Sequence, residues 1–204
     1  MGDVYTVYVK DGLTSRRLAD AAAKLLEAEG VEGVTMRRVA GEVGITAMAV
    51  YRHYPDRDGL LNALADEGFV ALAAQLAAAR VEGSLDERMV KLLDVNLDFA
   101  LERPRLFELM FLRPRSGARQ FPRDFVAGKS PTANLFAELI AEGMRDGVFQ
   151  QADVWEIVFE TGALLQGLVM LYLGGRVDAD EQGFRELCHR ALGRYTNGIR
   201  KEQK

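Results

Sequence analysis

Between Thr35 and Arg57 the chain gathers side chains suited to gripping a phosphate backbone and touching base edges. Thr35 and Thr46 stand where helices begin. A hydroxyl there caps the first backbone N–H groups, and the helix N-terminus is a seat for phosphate. Arg37 and Arg52 carry the planar fork that reads guanine O6 and N7 in bidentate fashion. Arg38 reads as a solvated or phosphate-facing charge. Ala47, Met48 and Ala49 have no donors, so their natural partners are thymine methyls and the close backbone.

Helical elements must position these groups. Leu18, Ala21, Ala22, Leu25 and Ala28 fall on one helical face, and Gly30 ends that segment. Thr35 caps a helix over Met36–Val43, Gly44-Ile45 breaks it, and Thr46 caps the next over Ala47–His53. Tyr54-Pro55 stops the second helix, because proline disfavours helix in the residue before it. Asp56 caps a fourth that carries Leu61, Leu64, Ala65, Gly68, Leu72 and Leu76. A short helix, a tight turn and a second helix make helix-turn-helix grammar. Ala40 lets the two helices approach, Gly44 supplies a positive φ, and Val39, Val43, Ile45 and Val50 point inward. An ordinary helical hairpin has similar turns; the ordered set from Thr35 to Arg57 favours DNA.

Thr35-Met36-Arg37-Arg38-Val39-Ala40, then Val43-Gly44-Ile45-Thr46, then Val50-Tyr51-Arg52-His53-Tyr54-Pro55-Asp56-Arg57-Asp58-Gly59-Leu60-Leu61, resembles the DNA-binding domain of the TetR (tetracycline repressor) family. The match covers about Leu13–Leu64; the remainder is similar in helix order and length. Residues 163–176 are similar to a C-terminal subtype named for a Trp-His-Gly motif, with Gln166-Gly167 standing in place of His-Gly. The resemblance implies a homodimer, a palindromic operator, and a ligand cavity in the C-terminal part that controls DNA release. It places Tyr51 and Arg57 at positions that touch the DNA backbone. Tyr54 joins them or packs beneath the recognition helix, and packing is also the alternative for Tyr51. His53 matches the family's Tyr-x-His-aromatic pattern and either meets phosphate or buttresses its helix.

The rest of the chain fits one all-α protein. Of 204 residues 49% are hydrophobic, ample for a core, and the formal net charge of −4 excludes a globally basic coat protein. Residues 10–57 carry eight cations against seven acids, so binding needs the cations to share a face. Domains are expected at 1–60, a helix-turn-helix module with an N-terminal arm, and 61–204, a ligand-binding and dimerisation domain. Val4–Val9 alternates weakly, which fits a short extended arm. Helices are expected from Leu85 to near Pro104, over Arg105–Leu112, and over Pro131–Asp146, Asp153–Gly174 and Asp180–Ile199. Arg113–Lys129 reads as a loop.

Catalysis finds little footing. The two histidines are His53 and His189. Cys188 and His189 are adjacent, and neighbours on a helix diverge by about 100°, so they do not chelate together. Glu156 and Glu160 read as a solvated helix edge, and no nucleophile meets a base. No enzyme activity, metal or cofactor is expected. A single cysteine fits a reducing cytoplasm. Met1–Lys10 lacks a signal-length apolar run, and Ala163–Leu173 falls short of the roughly 18–20 residues that span a bilayer, so no membrane is expected.

A small-molecule effector is expected among Met89, Leu93, Asn96, Phe99, Phe107, Met110, Phe111, Phe136, Met144, Trp155, Phe159, Gln166 and Met170, with core packing the alternative for each. Asn96 and Gln166 stand out, because buried amides must be hydrogen-bonded to protein or to a ligand. The expected dimer interface is Leu164, Leu168 and Leu171 against Phe184, Leu187, Ala191 and Tyr195, two helices from each subunit forming a four-helix bundle. The expected partners are thus an inverted-repeat DNA operator, a small apolar or amphipathic molecule and a second copy. A repressor is the first reading. An activator on the same fold and a helical small-molecule-binding protein without a DNA role are the alternatives.

Overall fold

The computed structural model describes residues 3–79 and 82–201. Among these, ten α-helices follow in order: α1 (Asp3–Glu29), α2 (Met36–Val43), α3 (Ala47–Val50), α4 (Arg57–Ala78), α5 (Leu85–Glu102), α6 (Pro104–Phe111), α7 (Arg123–Val126), α8 (Pro131–Arg145), α9 (Val154–Leu173) and α10 (Glu181–Gly198). A single 3₁₀ turn, Val31–Gly33, links α1 to α2. The fold is all-α; an isolated antiparallel bridge between Phe149 and Arg200 is its one extended pairing among the described residues.

Most boundaries follow local signals. The Asp56 carboxylate accepts from Gly59 N at 2.7 Å, Asp153 from Trp155 N at 2.7 Å, and Asp180 from Gly183 N at 2.8 Å. Each therefore satisfies N–H groups that the helix start leaves without partners. The N-terminal arm is a correction. Residues 4–9 are helical and continuous with α1. The helix runs through Gly12, at a cost of about 1 kcal/mol relative to alanine.

The chain divides into two compact units, Met1–Gly68 with Arg103–Ala118, and Phe69–Glu102 with Arg119–Lys204. The division thus falls eight residues later in α4 than the boundary expected after residue 60, and α6 groups with the first unit rather than the second. The reason is specific packing. Glu27 Oε1 accepts from the Leu106 backbone N–H at 3.0 Å, and Leu106, Phe107, Leu109 and Met110 are all buried. Gly68 allows the approach, since a Cβ there would lie 2.5 Å from Met110 Sδ.

In the first unit α1 packs on α2 and α6, and α2 packs on α3, around Leu18, Leu26, Val34, Val39 and Val50. In the second, α5 packs on α8 and α10, α8 on α9, and α9 on α10. The stretch 113–129 is a loop apart from the single turn α7. Its anchor is the buried Asp124 carboxylate, which accepts from Gln120 N (2.9 Å), Arg123 Nη2 (3.0 Å) and Lys129 Nζ (3.2 Å). The Arg123 guanidinium and the Gln120 N–H hold that carboxyl well below the usual carboxylate range.

Gly143 marks the tightest point of the second core. A Cβ there would lie 2.5 Å from Phe149 Cδ2 and 2.7 Å from Leu85 Cδ2. Gly143→Ala should therefore destabilise the protein by about 1–3 kcal/mol through overpacking. Thermal denaturation checks it, and an unchanged midpoint would mean that the Phe149 ring can move aside.

Candidate nucleic-acid interface

Local chemistry builds the α2–α3 corner. Thr35 Oγ1 accepts from Arg38 N and Thr46 Oγ1 from Ala49 N, each at 3.3 Å. Each hydroxyl keeps its own proton for another acceptor, such as a phosphate oxygen. Gly44 adopts φ 74°, ψ 35°, a left-handed conformation that closes α2 with little steric cost at glycine. Ile45 N donates to Ala40 O at 3.0 Å, and Ala40, Val39 and Val50 are buried in the crossing. The recognition helix was expected to run to His53. Its α-helical part ends at Val50 and tightens, with Arg52 N donating to Ala49 O and His53 N to Val50 O.

This corner leaves a row of side chains on its outer face. Arg37, Thr46, Met48, Tyr51 and Arg52 are exposed, and Thr35 and Ala47 are half-buried. Met48 is 72% exposed. The Arg37 and Arg52 guanidiniums form no ion pair or hydrogen bond with the described residues. Arg38 differs, because its guanidinium grips the Glu29 carboxylate with both terminal nitrogens. That pairing holds Glu29 below its ordinary range. His53 is half-buried. Tyr54 is buried, and its hydroxyl lies 3.3 Å from Ser15 Oγ, which favours the packing reading.

Arg57, expected to touch the DNA backbone, makes contacts within the protein. Its Nε donates to Val34 O at 2.7 Å and its Nη2 to Val31 O at 2.5 Å, with Glu32 at 3.5 Å. Through Nε and Nη2 the guanidinium ties the first residue of α4 to the turn that leads into α2. Arg57→Gln should lower stability by about 1–3 kcal/mol. It should leave the slope of log affinity against log salt unchanged. A slope reduced by about 0.9 per protomer would put Arg57 back on a phosphate.

The effector candidates fall in both units. Met89, Leu93, Asn96, Phe99 and Met144 are buried in the second unit, and Phe136 and Gln166 are half-buried there. Asn96 Nδ2 donates to Leu92 O at 2.8 Å, so the protein itself meets one of that amide's two N–H donors. Phe107, Met110 and Phe111 sit on α6 in the first unit, where the Phe107 and Phe111 rings are 4.6 Å apart. Phe159 and Met170 are exposed on α9.

The second unit contains a cavity of about 930 Å³ whose wall includes Leu92, Leu135, Trp155, Arg145 and the pair Arg88–Glu142. Of the residues expected from sequence, Trp155 lines it. Arg88 and Glu142 meet through two hydrogen bonds, of 2.5 and 2.6 Å. No local signal links them, because they lie 54 residues apart.

The expected dimer residues also separate. Leu171 is exposed, and Leu164, Leu168, Leu187 and Tyr195 are half-buried. Phe184 and Ala191 instead fill the subunit's own interior. Phe184 stacks on Tyr172 at 4.1 Å between centroids, which spends its ring inside the protomer. The Tyr195 hydroxyl donates to Glu160 Oε2 at 2.6 Å.

Comparison with known proteins places this geometry. Residues 18–64 match the family model described as bacterial regulatory proteins, tetR family. Residues 89–195, just over half the chain, match the Tetracyclin repressor-like C-terminal domain. The uncharacterized HTH-type transcriptional regulator YobS of Bacillus subtilis is 30% identical over 102 residues, 50% of this chain and 53% of that protein. The HTH-type transcriptional repressor DrrR1 of Streptomyces coeruleorubidus is 44% identical over 57 residues, 28% of this chain and 21% of its own length. The chain thus spans about half the length, or less, of these curated relatives. A solved structure of a protein of unknown function from Rhodococcus sp. RHA1 superposes with TM-score 0.76 at 29% identity, covering 92% of this chain and 95% of that one. With the helix-turn-helix matched at 18–64 and the helical C-terminal domain at 89–195, the chain belongs to the TetR family of bacterial transcriptional regulators.

Proposed function

We propose that the protein is a homodimeric repressor that holds an inverted-repeat operator and leaves it when a small amphipathic molecule binds the second unit. The observation that carries the DNA part is the outer row of Arg37, Met48, Tyr51 and Arg52, exposed on a capped helix-turn-helix. Repression is supported by the likeness to DrrR1, a named repressor, across the helix-turn-helix region.

Dimerisation is supported by α9. Phe159, Met170, Leu171 and Leu173 are 42–50% exposed. The buried residues of the helix are Ile157, Val158, Thr161 and Val169. An apolar surface of this extent calls for a partner. Both α4 and α9 are long and apolar enough to cross a bilayer by length and composition alone. Beside a helix-turn-helix, a second copy is the better cover for α9, and two-fold protein symmetry then asks for two-fold DNA half-sites.

Ligand control is supported by the cavity, whose wall mixes Leu92, Leu135 and Trp155 with charged Arg88, Glu142 and Arg145. That chemistry suits an amphipathic guest. α4 begins in the DNA-reading unit and ends in the cavity-bearing one, so a shift of its second half reaches the first. A ligand acts this way only through different affinities for the two states.

Selection from a randomised duplex library tests the DNA reading, and an inverted repeat is the expected product. Amphipathic compounds found by thermal shift then test the control. A true effector lowers operator affinity, whereas compounds that bind without changing it reduce the cavity to a structural feature.

A further inference from the structure

We infer that Met48 reads a thymine methyl in the major groove, about two base pairs from a guanine taken by Arg52 in the same half-site. This rests on the DNA-binding reading above and gives it a specific chemistry. Met48 is 72% exposed, more than any other large hydrophobic residue among those described; Val70 follows at 65%. Its neighbours Ala47 and Ala49 are half-buried and Val50 is fully buried, so Met48 does not belong to a wide apolar patch. It stands instead between polar groups. Tyr51 and Arg52, three and four residues on in the tightened turn that closes α3, are both exposed.

A protein partner would need apolar surface around Met48, and the row does not supply it. A major groove suits the row as it stands. Of the four bases, thymine alone presents a methyl group there, while guanine presents the O6 and N7 pair that a guanidinium grips. A flexible, polarizable thioether moulds itself to a methyl and has no donor for any other base edge.

The spacing follows from backbone geometry. From Met48 to Val50 the α-helix rises about 1.5 Å per residue and the tighter turn on to Arg52 about 2 Å per residue, about 7 Å in all. Base pairs are about 3.4 Å apart. Met48 and Arg52 therefore address positions about two steps apart.

The test uses the full-length protein and the duplex recovered from a randomised library. Each thymine is replaced in turn by deoxyuridine, which removes the methyl group alone. At one symmetric pair of positions the loss should be about four-fold per half-site and about fifteen-fold for both, the ordinary gain on burying one methyl. Met48→Ala should bind thymine and deoxyuridine duplexes equally while keeping the salt dependence of the parent. Arg52→Ala should lose its base preference about two pairs from that thymine. Equal binding of thymine and deoxyuridine duplexes by the parent protein, with salt-sensitive binding intact, overturns this inference alone. So does a Met48→Ala variant that still distinguishes them, or a methyl-sensitive position far from the Arg52-dependent one. Absence of any salt-sensitive duplex binding overturns the DNA reading as well.

Discussion

Leu171→Glu should give a folded monomer whose affinity for an inverted-repeat operator is about 10²–10⁴-fold lower than the parent's. Leu171 is exposed on α9 beside Met170 and near Leu173, so a glutamate there meets water in the isolated protomer and the fold survives. In a dimer the same carboxylate would be buried against apolar side chains without a partner, which is strongly unfavourable. Loss of the dimer unlinks two half-site contacts, and the linkage is what supplies the factor of about 10²–10⁴. Sedimentation equilibrium at micromolar concentration reads the mass, and fluorescence anisotropy compares whole and half operators. Affinity for a single half-site should barely change. A Leu171→Glu dimer with full affinity would move the interface off this part of α9.

Arg52→Ala should act twice per dimer. One bidentate arginine–guanine pair is worth about 1–3 kcal/mol of discrimination, so two half-sites lose about 2–6 kcal/mol, from about thirty-fold to beyond ten-thousand-fold. Arg52 is exposed and pairs with none of the described residues, so its removal leaves no buried partner stranded and stability should hold. The loss should be confined to duplexes that carry the preferred base. An equal loss on every sequence would make Arg52 a phosphate contact, and the salt slope would then fall by about 0.9 for each contact removed.

What the residues disclose in advance is what local chemistry decides. Thr35, Gly44 and Thr46 were legible because a cap and a left-handed turn need particular side chains within four residues of one another. The outward row Arg37, Met48 and Arg52 follows from the same helical register. Arg57 was not legible as a clamp, because its acceptors are the carbonyls of Val34 and Val31, 23 and 26 residues upstream, and any residue type offers a carbonyl. α6 joins the first unit through Glu27, 79 residues from Leu106, a pairing that periodicity cannot express.

The cavity shows the same limit from another side. Selecting bulky apolar residues finds those that fill space, and Met89, Leu93, Phe99 and Met144 do fill it. A cavity lies where such filling stops, and part of this wall is the Arg88–Glu142 ion pair. The stripe on α10 had a similar ambiguity. Its period reports an apolar face but not whose core that face enters, and Phe184 and Ala191 enter their own.

Two copies of this chain should hold one two-fold operator through their helix-turn-helix corners. The most direct test titrates the purified protein into a fluorescent duplex bearing the library-derived inverted repeat, at several salt concentrations, and reads stoichiometry and affinity together. Two protomers per duplex are predicted. Affinity should fall by about 10³–10⁵ between about 50 and 200 mM salt for some 6–10 phosphate contacts, and should collapse when one half-site is scrambled. One protomer per duplex, or an affinity indifferent to both salt and scrambling, would contradict it.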